Sequence, residues 1–170
     1  RATLVPASVA RGARMTEREW HRKQAVSLFN HVWRLLEKKR RTQDEDDEMI
    51  HAAHASRFHW GVVGKPVNLA IGEWQVSHVY AVLKRAEPSA YHAARSLAIC
   101  REHRIGDFAL AFAYEALARA SAIAGRRRER DRFVRLARIA GARIEEEDDR
   151  KLFFSDIATI PTPRRGRAGA

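Results

Sequence analysis

Apolar positions recur along this chain with the three-to-four-residue period of a helix, and nowhere do they alternate as a half-buried strand requires. The pattern predicts seven helices. The first covers 16–39: Ala25, Leu28, Phe29, Val32 and Leu36 form one stripe, and Thr16 and Glu19 stand at capping-box spacing. Its end, "KKRR" at 38–41, puts positive charge at the carbonyl terminus, where the helix dipole favours it. The second opens on the acids "DEDDE" at 44–48 and runs to 60, where "GVVGKP" breaks it. The third spans 67–84. The fourth spans 88–103, with Pro88 in its first turn and a small-residue stripe of Ala90, Ala93, Ala94, Leu97 and Cys100. Gly106 and Asp107 cap a fifth helix that stops at Gly125. The sixth covers 127–144 and buries Phe133, Leu136, Ala137 and Ala140. "EEEDD" at 145–149 then leads into a seventh, which ends before Pro161.

Short loops between so many helices suit either a globular bundle or a stack of hairpins, and an internal repeat decides between them. Residues from Ala70 and from Ala111 align over a helix, a turn and a second helix. Small residues coincide at Ala70 and Ala111, at Ser77 and Ala118, and at Ser96 and Ala137, and large ones at Val76 and Leu117. On Ala70, Ser77, Tyr80, Ser89 and Ser96 in one unit, and Ala111, Tyr114, Leu117, Ala118, Gly125 and Ala137 in the next, the chain resembles the tetratricopeptide-repeat superfamily, chiefly its longer-repeat members. The likeness covers 66–141. Ser77 and Ala118 stand where the family has a small glycine, Lys84 replaces a turn glycine, and Arg130 occupies a normally small position. The resemblance implies an all-α stack of antiparallel helical hairpins, with 16–60 as a divergent first hairpin and the seventh helix as a cap. It also implies a concave groove that binds a protein or peptide.

Composition narrows the function further. Of 170 residues, 45% are hydrophobic and 31% charged, which is ordinary for a globular chain, and no apolar run is long enough to cross a bilayer. The formal charge is +11, but six of the 32 basic residues lie in two acid-free ends: Arg1, Arg11 and Arg14, and Arg164, Arg165 and Arg167. Residues 15–163 therefore carry 26 basic against 21 acidic groups. The expected organisation is a disordered extension over 1–14, a helical domain over 15–160 and a disordered basic tail over 161–170. No secretory signal pattern is visible, and one cysteine, Cys100, fits a buried thiol in a reducing cytoplasm.

Chemistry-bearing motifs are few. "HAAHASRFHW" at 51–60 holds three histidines, but His54 and His59 fall about 140° apart around a helix and no His-Glu-x-x-His occurs. Glu48 and His51 make a single Glu-x-x-His pair, short of what a di-iron bundle needs. The stretch reads as packing, with Ala52, Ala55, Phe58 and His59 toward the core and His51 and His54 at an edge. No nucleophile elbow, phosphate loop or dinucleotide turn is present, so neither catalysis nor a cofactor is expected.

Candidate binding residues lie on the first helix of each hairpin. With Leu69, Val76, Tyr80 and Leu83 packing inward on the third helix, Ile71, Trp74, Gln75, His78 and Val82 are left facing out. With Leu110, Tyr114, Leu117 and Ser121 inward on the fifth, Phe112, Glu115, Arg119 and Ile123 are left. Ile71, Trp74, His78, Phe112, Glu115 and Arg119 thus form the expected partner groove, in which aromatic area and fixed charges select a peptide. The competing account makes Trp74 and Phe112 wedges between hairpins and Glu115–Arg119 an ordinary helical ion pair. Two alternatives stand beside the groove. One is a small-molecule or metal pocket of His54, His59, Trp74, His78 and Glu115. The other is a nucleic-acid surface of Arg128, Arg132, Arg135 and Arg138 on the sixth helix. Trp20, Trp33 and "LFF" at 152–154 add a possible homodimer face, if they are not buried by neighbouring hairpins.

Overall fold

A computed structural model describes residues 15–162; the readings of 1–14 and of the tail from 163 onward lie outside it. Seven helices and no strand are present among the described residues: α1 (Glu17–Leu36), α2 (Gln43–Val63), α3 (Pro66–Val82), α4 (Ala86–Glu102), α5 (Asp107–Ile123), α6 (Arg127–Gly141) and α7 (Glu147–Ala158). The Thr16–Glu19 capping box forms as the spacing predicts, and Thr42 with Glu45 makes a second one at the start of α2. In each box two orphan amide groups are satisfied locally.

Helices α1 and α2, α3 and α4, and α5 and α6 pack as hairpins; α2 also packs on α3, α4 on α5, and α7 on both α5 and α6. The chain is therefore an all-α stack of helical hairpins. Odd-numbered helices form one layer, joined by α3 against α5 and by Trp33 of α1 against Trp74 of α3. The even-numbered helices form the second layer and do not pack closely on one another.

Small residues hold each hairpin together. Ser56 Oγ donates to the Ala25 carbonyl at 2.8 Å, and Ser96 Oγ to the Ala70 carbonyl at 2.8 Å. In the third hairpin the fully buried Ala111 and Ala137 take the places of Ala70 and Ser96. A bulky side chain here would force the helix axes apart, and a hydroxyl is tolerated because it finds a carbonyl. Ser77 and Ser89 are likewise reciprocal, each donating to the other's carbonyl, at 2.8 and 3.0 Å. Arg130, the large residue at the next repeat's small position, turns its guanidinium outward to the Ile160 carbonyl and Thr162 hydroxyl, both at 3.4 Å, and ties down the chain after α7.

Two hairpin turns show the same repeat. Gly125 has φ +73°, and Lys84, one repeat earlier, has φ +58°. Each is followed by an amide that bonds back five residues, Arg85 to Tyr80 at 2.8 Å and Arg126 to Ser121 at 2.9 Å. These are left-handed helix stops, which glycine adopts freely and lysine holds at a cost of about 1 kcal/mol.

Several local expectations are corrected. Gly106 holds the N-cap position of α5 as expected, but no side chain caps the helix: Asp107, at φ +51°, instead accepts the Glu145 amide at 3.0 Å and anchors the start of α7 to the start of α5. Phe58 is 64% exposed, because α2 turns Met49, Ala52, Ala53 and Ser56 to the core and leaves Phe58 at the outer edge. Helix α3 is sandwiched by three neighbours and buries residues all round, so of the side expected to be free only Val82, at its end, is exposed.

Candidate functional site

The row predicted to line an open groove is brought together and buried. Trp74, Phe112 and Glu115 are inaccessible, while Ile71 and His78 are half-buried. Phe112 lies 4.8 Å from Trp74 and 5.1 Å from Phe153 of α7, centroid to centroid; Trp33 of α1 closes the other side at 5.6 Å from Trp74 and 5.7 Å from His78. The protein's own α1 and α7 occupy the face that a partner was expected to fill. Gly141 permits this, since a Cβ there would overlap the Phe153 ring.

Within this packed row, Arg119 Nε donates to Glu115 at 2.7 Å, and its Nη2 reaches the Asp156 carbonyl at 3.1 Å and the Thr159 hydroxyl at 2.9 Å. Burial raises the pKa of Glu115, with Arg119 partly offsetting it, and Asp156 is raised for the same reason. His78 is pushed down to about 4, first by burial and then by the Arg119 charge. The Trp74 indole nitrogen, His78 Nδ1 and Glu115 Oε2 are buried without a hydrogen-bond partner. The ion pair lies within α5, with Glu115 buried and Arg119 mostly so, and the remaining bonds of Arg119 tie that helix to the end of α7.

The alternative His/Trp/Glu pocket does not assemble, because its members lie in three places. His59 faces His21 of α1, Nδ1 to Nδ1 at 2.8 Å, beside Trp20. His54 is exposed in the cleft between α2 and α4, where its Nε2 shares a hydrogen bond with the Tyr80 hydroxyl at 3.0 Å. Trp74, His78 and Glu115 belong to the opposite layer's packed row. Among the described residues no group of three or more His, Cys, Asp or Glu is placed to hold a metal ion.

The cleft around His54 contains a network that the sequence did not single out. Glu73, buried on α3, accepts from Arg57 Nε of α2 at 3.0 Å and from His92 Nδ1 of α4 at 2.7 Å. Tyr80 stacks on His92 with planes 13° apart. Burial opposes the Glu73 charge, yet His92 and Arg57 together hold its pKa below the usual value. Gly72 lets the Arg57 stem cross α3 to reach it. This side-chain bridge fills the gap between α2 and α4. An acid midway along the most apolar helix was the one available signal for it.

Between α4 and α6 the corresponding gap is open. A hollow of about 690 Å³ is floored by Leu117 and Ser121 of α5 and its C-cap Ala124, and walled by Ala90, Tyr91 and Ala94 of α4 and by Phe133 of α6. A second, of about 240 Å³, continues along the same side of α5 past Leu110 and Tyr114 to Ile139 of α6 and Arg143 just after it. Leu110, Tyr114 and Leu117, predicted to be the packing side of this helix, are only half-buried, and Tyr91 is 58% exposed. Helix α5 thus packs on both sides: Ser121 is buried and Leu110, Tyr114 and Leu117 pack partly against the core as expected while flooring a trough, but Phe112 and Glu115, expected to face out, lie deeper inside.

Arg128, Arg132, Arg135 and Arg138 are all exposed along α6, as the spacing predicts, and none has an acidic partner among the described residues. The interrupting acids are occupied elsewhere, Glu129 by Arg126 and Asp131 by Arg127 and Arg130. Of the residues considered for a dimer face, Trp20 and Leu152 are exposed, Trp33 and Phe154 half-buried and Phe153 fully buried. No described helix is long and apolar enough to cross a membrane. No family model, curated protein or solved structure matches the chain.

Proposed function

We propose that the protein is a divergent tetratricopeptide-repeat-like adaptor, working in the cytoplasm, that holds a segment of a partner protein in the trough between α4 and α6. One observation carries this reading. The stripe Leu110, Tyr114 and Leu117 runs along α5 half-exposed at the bottom of a trough, walled by Tyr91 and Phe133. Continuous apolar surface in a concavity gains free energy when a ligand covers it, and aromatic walls add contact area at low entropic cost. The inner row, by contrast, is already covered by α1 and α7. The unpaired arginines of α6 also support a second reading, a nucleic-acid backbone along that helix, but it leaves the apolar floor without a role.

The test is selection of binders from a displayed random-peptide library on the full chain, followed by affinity measurement on Ala94→Trp and Ala124→Trp. Both alanines are exposed and line the trough, so the added ring fills it without touching the core. The reading expects selected peptides to lose about tenfold or more in affinity for either variant while circular dichroism stays unchanged. Peptides indifferent to both substitutions, or a library that yields no binder, would overturn it.

A further inference from the structure

We infer that the segment taken by this trough is acidic and amphipathic, with apolar side chains on one side and carboxylates along its flank. The inference rests on the trough being the binding site and adds the chemistry of its occupant.

The lining itself is balanced, Arg126, Arg132 and Arg143 against Glu87, Asp107 and Glu129. The excess of positive charge comes from the flanking Arg101, Arg128 and Arg135, which have no acidic partner among the described residues. Arg132 lines the larger hollow, its guanidinium 5.8 Å from the centroid of the Phe133 ring that forms the wall. A ring beneath the guanidinium steadies it while leaving its N–H donors free. Arg128 and Arg135 stand one turn before and after Arg132, so the three form one exposed stripe on α6, of which Arg132 lines the hollow. At the far end Arg143 lines the smaller hollow, and across the trough Arg101 of α4 lies 3.5 Å from the Tyr114 hydroxyl. Facing these, Glu129 is already paired with Arg126, and the Asp107 carboxylate is taken by the Glu145 amide. Glu87 is the acid lining the trough without such a partner among the described residues.

Arginines of this kind favour carboxylates, which they bind through paired N–H donors. The floor supplies the second requirement. From Leu110 to Ala124 it measures about 21 Å at 1.5 Å per residue, so a ligand that covers it needs about 14 helical residues with an apolar side chain near every turn. A phosphate backbone would meet the arginines and leave Leu110, Tyr114 and Leu117 exposed. An acidic amphipathic polypeptide satisfies both.

The experiment uses the peptides selected as above from a library of about 16 residues, a length set by that floor, each also measured on Ala94→Trp. Their sequences are read, and Glu and Asp are replaced by Gln in each. Binding is measured by fluorescence anisotropy to the full chain and to Arg132→Glu/Arg135→Glu, with a single-stranded oligonucleotide as a second probe. The expected result is a selected set rich in acids. Its Gln versions should bind about tenfold or more weakly, and the double charge reversal should weaken the acidic peptides but not the Gln versions. Selected peptides that lose affinity in Ala94→Trp yet are neutral or basic would overturn the acidic assignment and leave the trough reading standing. Acidic peptides and the oligonucleotide both binding through Arg132 and Arg135, with no effect of Ala94→Trp, would overturn both and mark α6 as a polyanion surface.

Discussion

His78 sits between Trp33 and Trp74 with Nδ1 unbonded, beside the Arg119 cation. Desolvation and a like charge both disfavour its protonated form, and its pKa falls from the ordinary 6.5 to about 4. The unfolded chain therefore binds the proton more readily than the native one between those values. The native state is stabilised above pH 6.5 and loses that contribution as pH falls toward 4, by about 2 kcal/mol between pH 7 and 4.5. Glu115 and Asp156 act in the opposite sense, since their raised pKa values let the native state take up protons first. The total pH profile is thus a difference of terms, and the informative quantity is a comparison. Phenylalanine at position 78 keeps the aromatic contacts and cannot titrate. Denaturant unfolding of the native protein should lose about 2 kcal/mol more than His78→Phe over that pH interval. Parallel pH dependence in the two proteins would mean that the imidazole is not held neutral by its surroundings.

At the level of elements, the question is what fixes α7. It packs on α5 and α6, and its central residue, Phe153, is fully buried against Phe112 and the bare backbone of Gly141. Phe153→Ala should cost about 3–5 kcal/mol by loss of burial and the cavity left behind. Gly141→Ala should also destabilise, by about 1–3 kcal/mol, although alanine is intrinsically the better helix former, because the methyl group displaces the ring. Thermal unfolding of both variants checks this pair; a stabilised Gly141→Ala would show that the ring does not seat on the glycine. The same contact explains where the sequence misled. Helix α5 is apolar on two sides, with Phe108 and Phe112 on one and Leu110, Tyr114 and Leu117 on the other, so periodicity identifies a helix without saying which side lies deeper inside. That depends on whether α7 and Trp33 cover one side, which is a tertiary fact invisible in a local pattern. By contrast, the helices themselves, the Thr16–Glu19 box and the hairpin pairing at Ala70/Ser96 and Ala111/Ala137 were legible, because each arises from residues within one repeat. The Arg57–Glu73–His92 bridge was not, since it draws one residue from each of three helices.

For the molecule as a whole, hairpin stacking makes stability uneven. One group of buried side chains, including Val32, Met49 and Val79, joins α1, α2 and α3. A second, including Ala70, Leu97 and Ala109, joins α3, α4 and α5. A third gathers Trp74, Phe112, Ala137 and Phe153 from α3, α5, α6 and α7. Helix α3 contributes to all three groups and α5 to two, whereas α7 contributes to one and has a neighbour on one side only. In such a stack the terminal element can open without dissolving the remainder, and the central ones cannot. Native-state hydrogen exchange at rising urea should therefore find α3 and α5 amides exchanging only through global unfolding. The amides of α7 should exchange through a smaller opening with a weaker urea dependence. That opening would uncover Phe112, Glu115 and Arg119, the very row that α7 now fills, so its free energy measures how firmly the inner face is closed. Exchange of α7 with the same free energy and urea dependence as α3 would instead make the chain one cooperative unit, with its inner face closed as long as it is folded, and would leave the outer trough as the concavity available in the native state.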